Sequence, residues 1–170
     1  MRIVSIVGAR PQYIKLAPLH LELVARKVEH LVINTGQHYD HNLSQIFFDQ
    51  LALPKPVLNL GVGSGSNSEM TARILDAAAK ALRKYRPDLV VVYGDTNSTL
   101  GGALAAAQLA LPLAHIEAGL RCFDVSVPEE LNRIVTDRLS QYLFCPTATA
   151  KTNLRNEGIT RSVYQSGDVL

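Results

Sequence analysis

Tryptophan is absent from the 170 residues, and aromatic side chains make up only 6% of them. A surface that stacks successive nucleic-acid bases needs such rings, so the chain lacks the platform for single-strand binding. Neither sign of charge dominates: 17 Lys and Arg face 15 Asp and Glu, for a net charge of +2. That balance excludes the broad basic field that draws proteins to nucleic acid or anionic membranes. Two cysteines, Cys122 and Cys145, occur without a C-x-x-C pair. Their scarcity argues against a disulfide framework and a structural zinc site, and a cytoplasmic location is the expectation. Long apolar runs are missing too. Residues 2–7 are too few for a signal-peptide core with its cleavage site, or for a membrane span. Residues 100–113 are interrupted by Gln108 and Pro112 and read as a buried helix feeding a strand.

What is present is an ordinary globular balance, 47% apolar and 19% charged, enough for one domain with a sizeable core. Apolar runs alternate with amphipathic stretches. Strands are predicted over 3–7, 31–34, 57–60, 89–93, 113–116, 143–145 and 163–166. Helices are predicted over 12–27, 42–51, 69–85, 96–109, 130–141 and 147–157, with Ser68 capping the third. Such alternation implies βαβ units with right-handed crossovers. The expectation is a Rossmann-like α/β domain over 1–170, three layers with a mostly parallel sheet. Gly167-Asp168-Val169-Leu170 reads as the approach to another element, so the chain is expected to be one half of something larger.

Candidate chemistry gathers where strands end. Asp95 and Glu117 each follow an apolar strand, which puts them past its carboxyl end, the edge where open α/β sheets bind ligands. Asp95 competes with Thr96 and Asn97 to cap the next helix. Glu117 is followed by Ala118 and Gly119 and has no capping duty. Gly8-Ala9-Arg10-Pro11-Gln12 turns from the first strand into the first helix. A glycine turn of this kind exposes backbone amides to an anion, with Arg10 and Lys15 adding cations. Gln37 and His38 follow the second strand as possible ligand contacts, and His38 and His41 lack a third metal ligand. Glu129 and Glu130 open a helix behind Pro128, where acidic residues suit the helix dipole, and Arg133 is spaced for an ion pair with Glu129. Arg121 can anchor an anion or a carboxylate. His115, inside its strand, reads as a core histidine rather than a base.

Taken together, G-x-R-P-x-x-I-K at 8–15, G-Q-H at 36–38, G-D-T-N-S-T-L at 94–100, H-I-E-A-G-L-R at 115–121 and P-E-E-x-N-R at 128–133 resemble the non-hydrolysing UDP-N-acetylglucosamine 2-epimerases. The resemblance implies the N-terminal half of a glycosyltransferase-B-like enzyme, with its C-terminal nucleotide-binding domain absent from this chain. It implies an isomerase of polysaccharide biosynthesis that converts UDP-GlcNAc to UDP-ManNAc without a cofactor, by elimination and re-addition of UDP. Asp95, Glu117 and Glu129 correspond to the family's essential carboxylates. Arg10 and Lys15 correspond to its cationic residues, and Gln37, His38, Arg121 and Arg133 are expected substrate contacts. A homodimer is a further expectation. Gly-Ala-Arg-Pro-Gln in place of G-T-R-P-E, together with Ile46-Phe47-Phe48 and Pro54-Lys55-Pro56, is similar to a sister branch acting on UDP-2,3-diacetamido-glucuronic acid. The variant loop after Gly36 argues against allosteric activation by a second UDP-GlcNAc. A reading from another class is a catalytically dead ligand-binding or interaction domain.

Overall fold

The computed structural model describes residues 1–37, 53 and 55–168. Its strands are β1 (Arg2–Val7), β2 (Glu29–Asn34), β3 (Leu58–Asn59), β4 (Leu89–Tyr93), β5 (Leu113–Ile116), β6 (Tyr142–Cys145) and β7 (Val163–Gln165). Its helices are α1 (Arg10–Ala25), α2 (Asn67–Tyr85), α3 (Asn97–Gln108), α4 (Pro128–Leu139) and α5 (Ala148–Asn156). The helix expected over 42–51 and the features at 46–48 and at Pro54 lie outside the described residues.

All strand pairs are parallel, in the order β3-β2-β1-β4-β5-β6-β7. The expected Rossmann-like sheet is therefore present. Its topology reverses between β1 and β4, where the chain leaves one strand for each side of the sheet. Side chains of β1 and β4 alternate accordingly. Ile3, Val7, Val91 and Tyr93 join Leu16 and Leu23 of α1 in one core, whereas Val4, Ile6, Val90 and Val92 join Ala78, Leu82, Ala103 and Ala106 of α2 and α3 in another. Burial on both faces is why these strands read as apolar runs, with Ser5 alone breaking that of β1 after Arg2. A Cβ on Gly101 would lie 2.6 Å from Ile74 Cγ2, so glycine lets α2 and α3 approach this closely.

Boundaries shift for local reasons. Pro128 occupies the first helical position of α4, where a missing N–H costs nothing. Ser66, not Ser68, caps α2, accepting from the Glu69 amide while Glu69 Oε2 accepts from the Ser66 amide at 3.0 Å. That reciprocal pair satisfies two orphan donors.

A histidine pair lies under α1. His20 Nδ1 and His30 Nδ1 are 2.9 Å apart, and His30 Nε2 reaches Ser5 Oγ, which meets the Tyr93 hydroxyl at 2.7 Å. The two Nδ1 atoms need one proton between them. Burial, then the neighbouring His20, brings the His30 pKa down to about 4. In the unfolded chain it titrates near 6.5, so between these values unfolding takes up a proton. The stability from the neutral pair is thus complete above pH 6.5 and is lost as pH falls towards 4, by at most about 3 kcal/mol. Urea midpoints at pH 7.5 and 4.5 are expected to differ more in the native protein than in His30→Gln, and equal differences would show that the pair does not titrate this way.

Candidate active site

The turns after β1 and β4 are stitched together by Gln12, at the third position of α1. Its Oε1 accepts from the Gly8 and Ala9 amides at 2.7 and 3.0 Å. Its Nε2 reaches the Tyr93 carbonyl, Thr96 Oγ1 and Thr99 Oγ1. The amides expected to face an anion are therefore already bonded within the protein. A Cβ on Gly8 would sit 2.0 Å from Thr35 Oγ1 and 2.2 Å from Ser98 Oγ, so glycine is required for this close approach. Arg10 opens α1 at the same edge and is exposed.

Thr96 caps α3, which releases Asp95 from that duty. Arg133 NH1 donates to Asp95 Oδ2 at 2.6 Å, and Asn132 Nδ2 donates to the Asp95 carbonyl at 2.8 Å. Both donors belong to α4, so the first half of that helix is bound to the Asp95 turn. Glu117 follows β5 with φ at +77°, a left-handed conformation that costs a non-glycine residue roughly 1–2 kcal/mol. Paired bonds to the Phe144 carbonyl from the amides of Glu117 and Ala118 hold it there. A Cβ on Gly94 would lie 3.2 Å from Glu117 Oε2, so the Glu117 carboxylate stands at the residue before Asp95.

Lys15 reaches back from α1 to this point, as its place near the strand end suggests. Its Nζ, on a side chain only 4% exposed, is 3.0 Å from Glu117 Oε2 and 3.5 Å from Asp168 Oδ1. Among the described residues it meets no acceptor at a hydrogen-bonding angle, so these contacts are ionic rather than directional. Asp95, Glu117, Lys15 and Arg133 thus share the carboxyl edge of β4 and β5. Glu129 lies in the first turn of α4, exposed, without a hydrogen bond or ion pair among the described residues.

Other expected contacts have different surroundings. The Arg121 side chain is 1% exposed, and its nitrogens donate to Asp137 and Glu157 at 2.7–2.8 Å. It ties α4 to the residue that follows α5, anchoring a carboxylate on each. Asp137 also accepts from the Gly119 amide at 3.1 Å and meets His115 Nδ1 at 2.6 Å. Burial works against its charge, but His115 and then Arg121 hold its carboxyl below the usual range. His115 is fully buried, its Nε2 2.7 Å from the Gly94 carbonyl, as expected of a core histidine. Gln37 Oε1 accepts from the Ser98 amide and hydroxyl at 3.0 and 2.6 Å, tying the loop after β2 to α3. His38 lies outside the described residues. The helical ion pair of Arg133 forms with Glu130 rather than Glu129. Burial pushes the Cys145 thiol up to about 11, which leaves it inert near neutrality.

No helix among the described residues is long and apolar enough to cross a membrane. The family model for UDP-N-acetylglucosamine 2-epimerase matches residues 22–170. The UDP-N-acetylglucosamine 2-epimerase homolog of Methanococcus maripaludis is 54% identical over all of this chain and 47% of its own length. The UDP-2,3-diacetamido-2,3-dideoxy-D-glucuronate 2-epimerase of Pseudomonas aeruginosa is 48% identical, over all of this chain and 49% of its own length. The crystal structure of Methanocaldococcus jannaschii UDP-GlcNAc 2-epimerase with UDP-GlcNAc and UDP superposes with a TM-score of 0.96 at 47% identity, covering 99% of this chain and 47% of that one. Acinetobacter baumannii MurG shares the fold alone, with a TM-score of 0.63 at 11% identity over 88% of this chain and 41% of its own. The chain spans about half the length of the relatives it matches.

Proposed function

The chain belongs to the UDP-N-acetylglucosamine 2-epimerase family, and from that premise we propose that the full-length protein inverts C2 of a UDP-linked N-acetyl sugar. The observation that carries the reading is the convergence at one sheet edge. Asp95 is held by Arg133, and Glu117, on strained backbone, stands against a buried lysine. Strain of that kind persists where surrounding structure over-determines it, and it concentrates at functional sites.

The chemistry needs a base at the C2 proton, an acid on the other face and cations for the departing diphosphate. Asp95, Glu117 and Glu129 supply the acid and base groups. Lys15 and Arg10 supply positive charge where UDP departs and returns. Arg133 acts on Asp95, whereas Arg121 and Gln37 have protein partners and serve the scaffold. Residues 1–170 are the N-terminal domain in this reading, and the remaining polypeptide forms the nucleotide-binding domain across the crevice. One wall alone cannot exclude water from the reaction, so the isolated chain is inactive. A cytoplasmic homodimer serving polysaccharide biosynthesis fits the family.

UDP-GlcNAc is the favoured substrate. UDP-2,3-diacetamido-glucuronic acid is the second reading, favoured by the 48% identity to the Pseudomonas aeruginosa enzyme over the whole chain. Incubating full-length protein with each sugar in heavy water tests both, since epimerisation places deuterium at C2. Absence of deuterium from both sugars would overturn the reading. Calorimetry of the isolated chain with UDP and with UDP-sugar completes the test: binding without turnover is expected of one wall, and turnover would refute its inactivity.

A further inference from the structure

Glu130 is among the most buried charged residues, at 1% exposure. Its carboxylate takes four N–H groups: Phe123 N at 2.9 Å on Oε1, with Cys122 N at 3.1 Å, Arg133 Nε at 3.0 Å and Arg133 NH2 at 2.6 Å on Oε2. Three of the four fall on Oε2 and one on Oε1, and the residue is buried, so the carboxylate is engaged by the protein rather than presented to a substrate proton. Burial disfavours its charge, but Arg133 and the two backbone amides outweigh that and hold its pKa near 2.

Two things depend on this cluster. Phe123, exposed, sits at φ +60°, a conformation aromatic residues rarely adopt. The paired bonds from residues 122 and 123 to one buried carboxylate fix that turn. Meanwhile Arg133 spends Nε and NH2 on Glu130, and its planar fork then aims NH1 at Asp95 Oδ2. We propose that Glu130 is a positioning residue, which sets the Arg133 guanidinium and the turn at Phe123 and, through Arg133, holds Asp95 in its reacting place. The inference rests on the epimerase reading, because Asp95 is one of the reacting carboxylates there.

The test uses full-length protein and the C2 exchange assay. Glu130→Gln lowers kcat about 30-fold or more, with KM changed by less than about 3-fold. Because Glu130 acts through Arg133 on Asp95, the losses do not multiply. Glu130→Gln costs less than about 2-fold further when added to Arg133→Gln or to Asp95→Asn. The paired variant Glu130→Gln with Arg133→Gln leaves no buried charge stranded and guards against misfolding of the single one. Hydrogen exchange supplies a readout apart from turnover. The amides of Cys122 and Phe123 exchange at least about 10-fold faster in Glu130→Gln, and at the native rate in Glu129→Gln.

Multiplying losses, or a folded Glu130→Gln protein with native kcat, would overturn the proposal. If the native protein exchanges no C2 proton with either sugar, the epimerase reading fails and the link to Asp95 fails with it. Faster amide exchange would then still identify the clamp on residues 122 and 123, and unchanged exchange would remove that as well.

Discussion

Glu129→Gln in the full-length protein is expected to slow C2 exchange by roughly 10²–10⁴-fold while moving the melting temperature by less than about 2 °C. Glu129 is exposed and has no protein partner among the described residues, in the first turn of a helix bonded to the Asp95 turn. A side chain without such partners contributes little to folding, so on the proposed reading a large loss of rate at unchanged stability reports its part in the reaction. Glu130, one residue on, is its opposite: buried and held by four N–H groups. In the proposed reading, adjacent glutamates with the same sequence neighbourhood divide into a reacting group and a brace. Native turnover in Glu129→Gln would remove it from the chemistry, and a large drop in melting temperature would show a structural role.

Glu117→Gln is expected to cost a similar factor in rate, roughly 10²–10⁴, and also to weaken folding. Lys15 is buried against the Glu117 carboxylate, and Asp168, half exposed at 3.5 Å, would be the one acidic partner remaining in contact among the described residues. Removing one member of a buried ion pair costs about 3–5 kcal/mol. Glu117 is partly open to water, so about 2–3 kcal/mol is the expectation, read as a lower urea midpoint. Adding Lys15→Met removes the stranded ammonium and should recover most of that stability. It should recover none of the activity. A stable Glu117→Gln protein would mean that water already solvates Lys15, and an active one would take Glu117 out of the acid/base set.

The fold was legible because β1, β4 and β5 are buried on both faces and announce it as plain apolar runs. Asp95, Glu117 and Lys15 were legible for a related reason, since a strand's end in a parallel sheet fixes where the next residues stand. Partner choice was harder to read. Arg133 had two glutamates within helical reach, and the turn at Phe123 decided between them by offering amides to Glu130. Arg121 and Gln37 were expected contacts through the family resemblance, and their protein partners, Glu157 and Ser98, could not be read because they lie far away in sequence. Gln12 was missed altogether, although a glutamine at the third helical position is a known signal for bonding back to the preceding turn. The left-handed backbone at Glu117 has no counterpart in composition, because glutamate does not favour it.

That backbone at Glu117 has a bearing on how the protein would respond to selection for heat resistance alone. Position 117 would drift to glycine, whose backbone is at ease at φ +77°. Lys15, left without its counter-charge, would drift to an apolar residue. The survivors would be sturdier and chemically silent. If Glu117 serves the reaction as proposed, a glutamate at this backbone is selected for turnover at the expense of robustness.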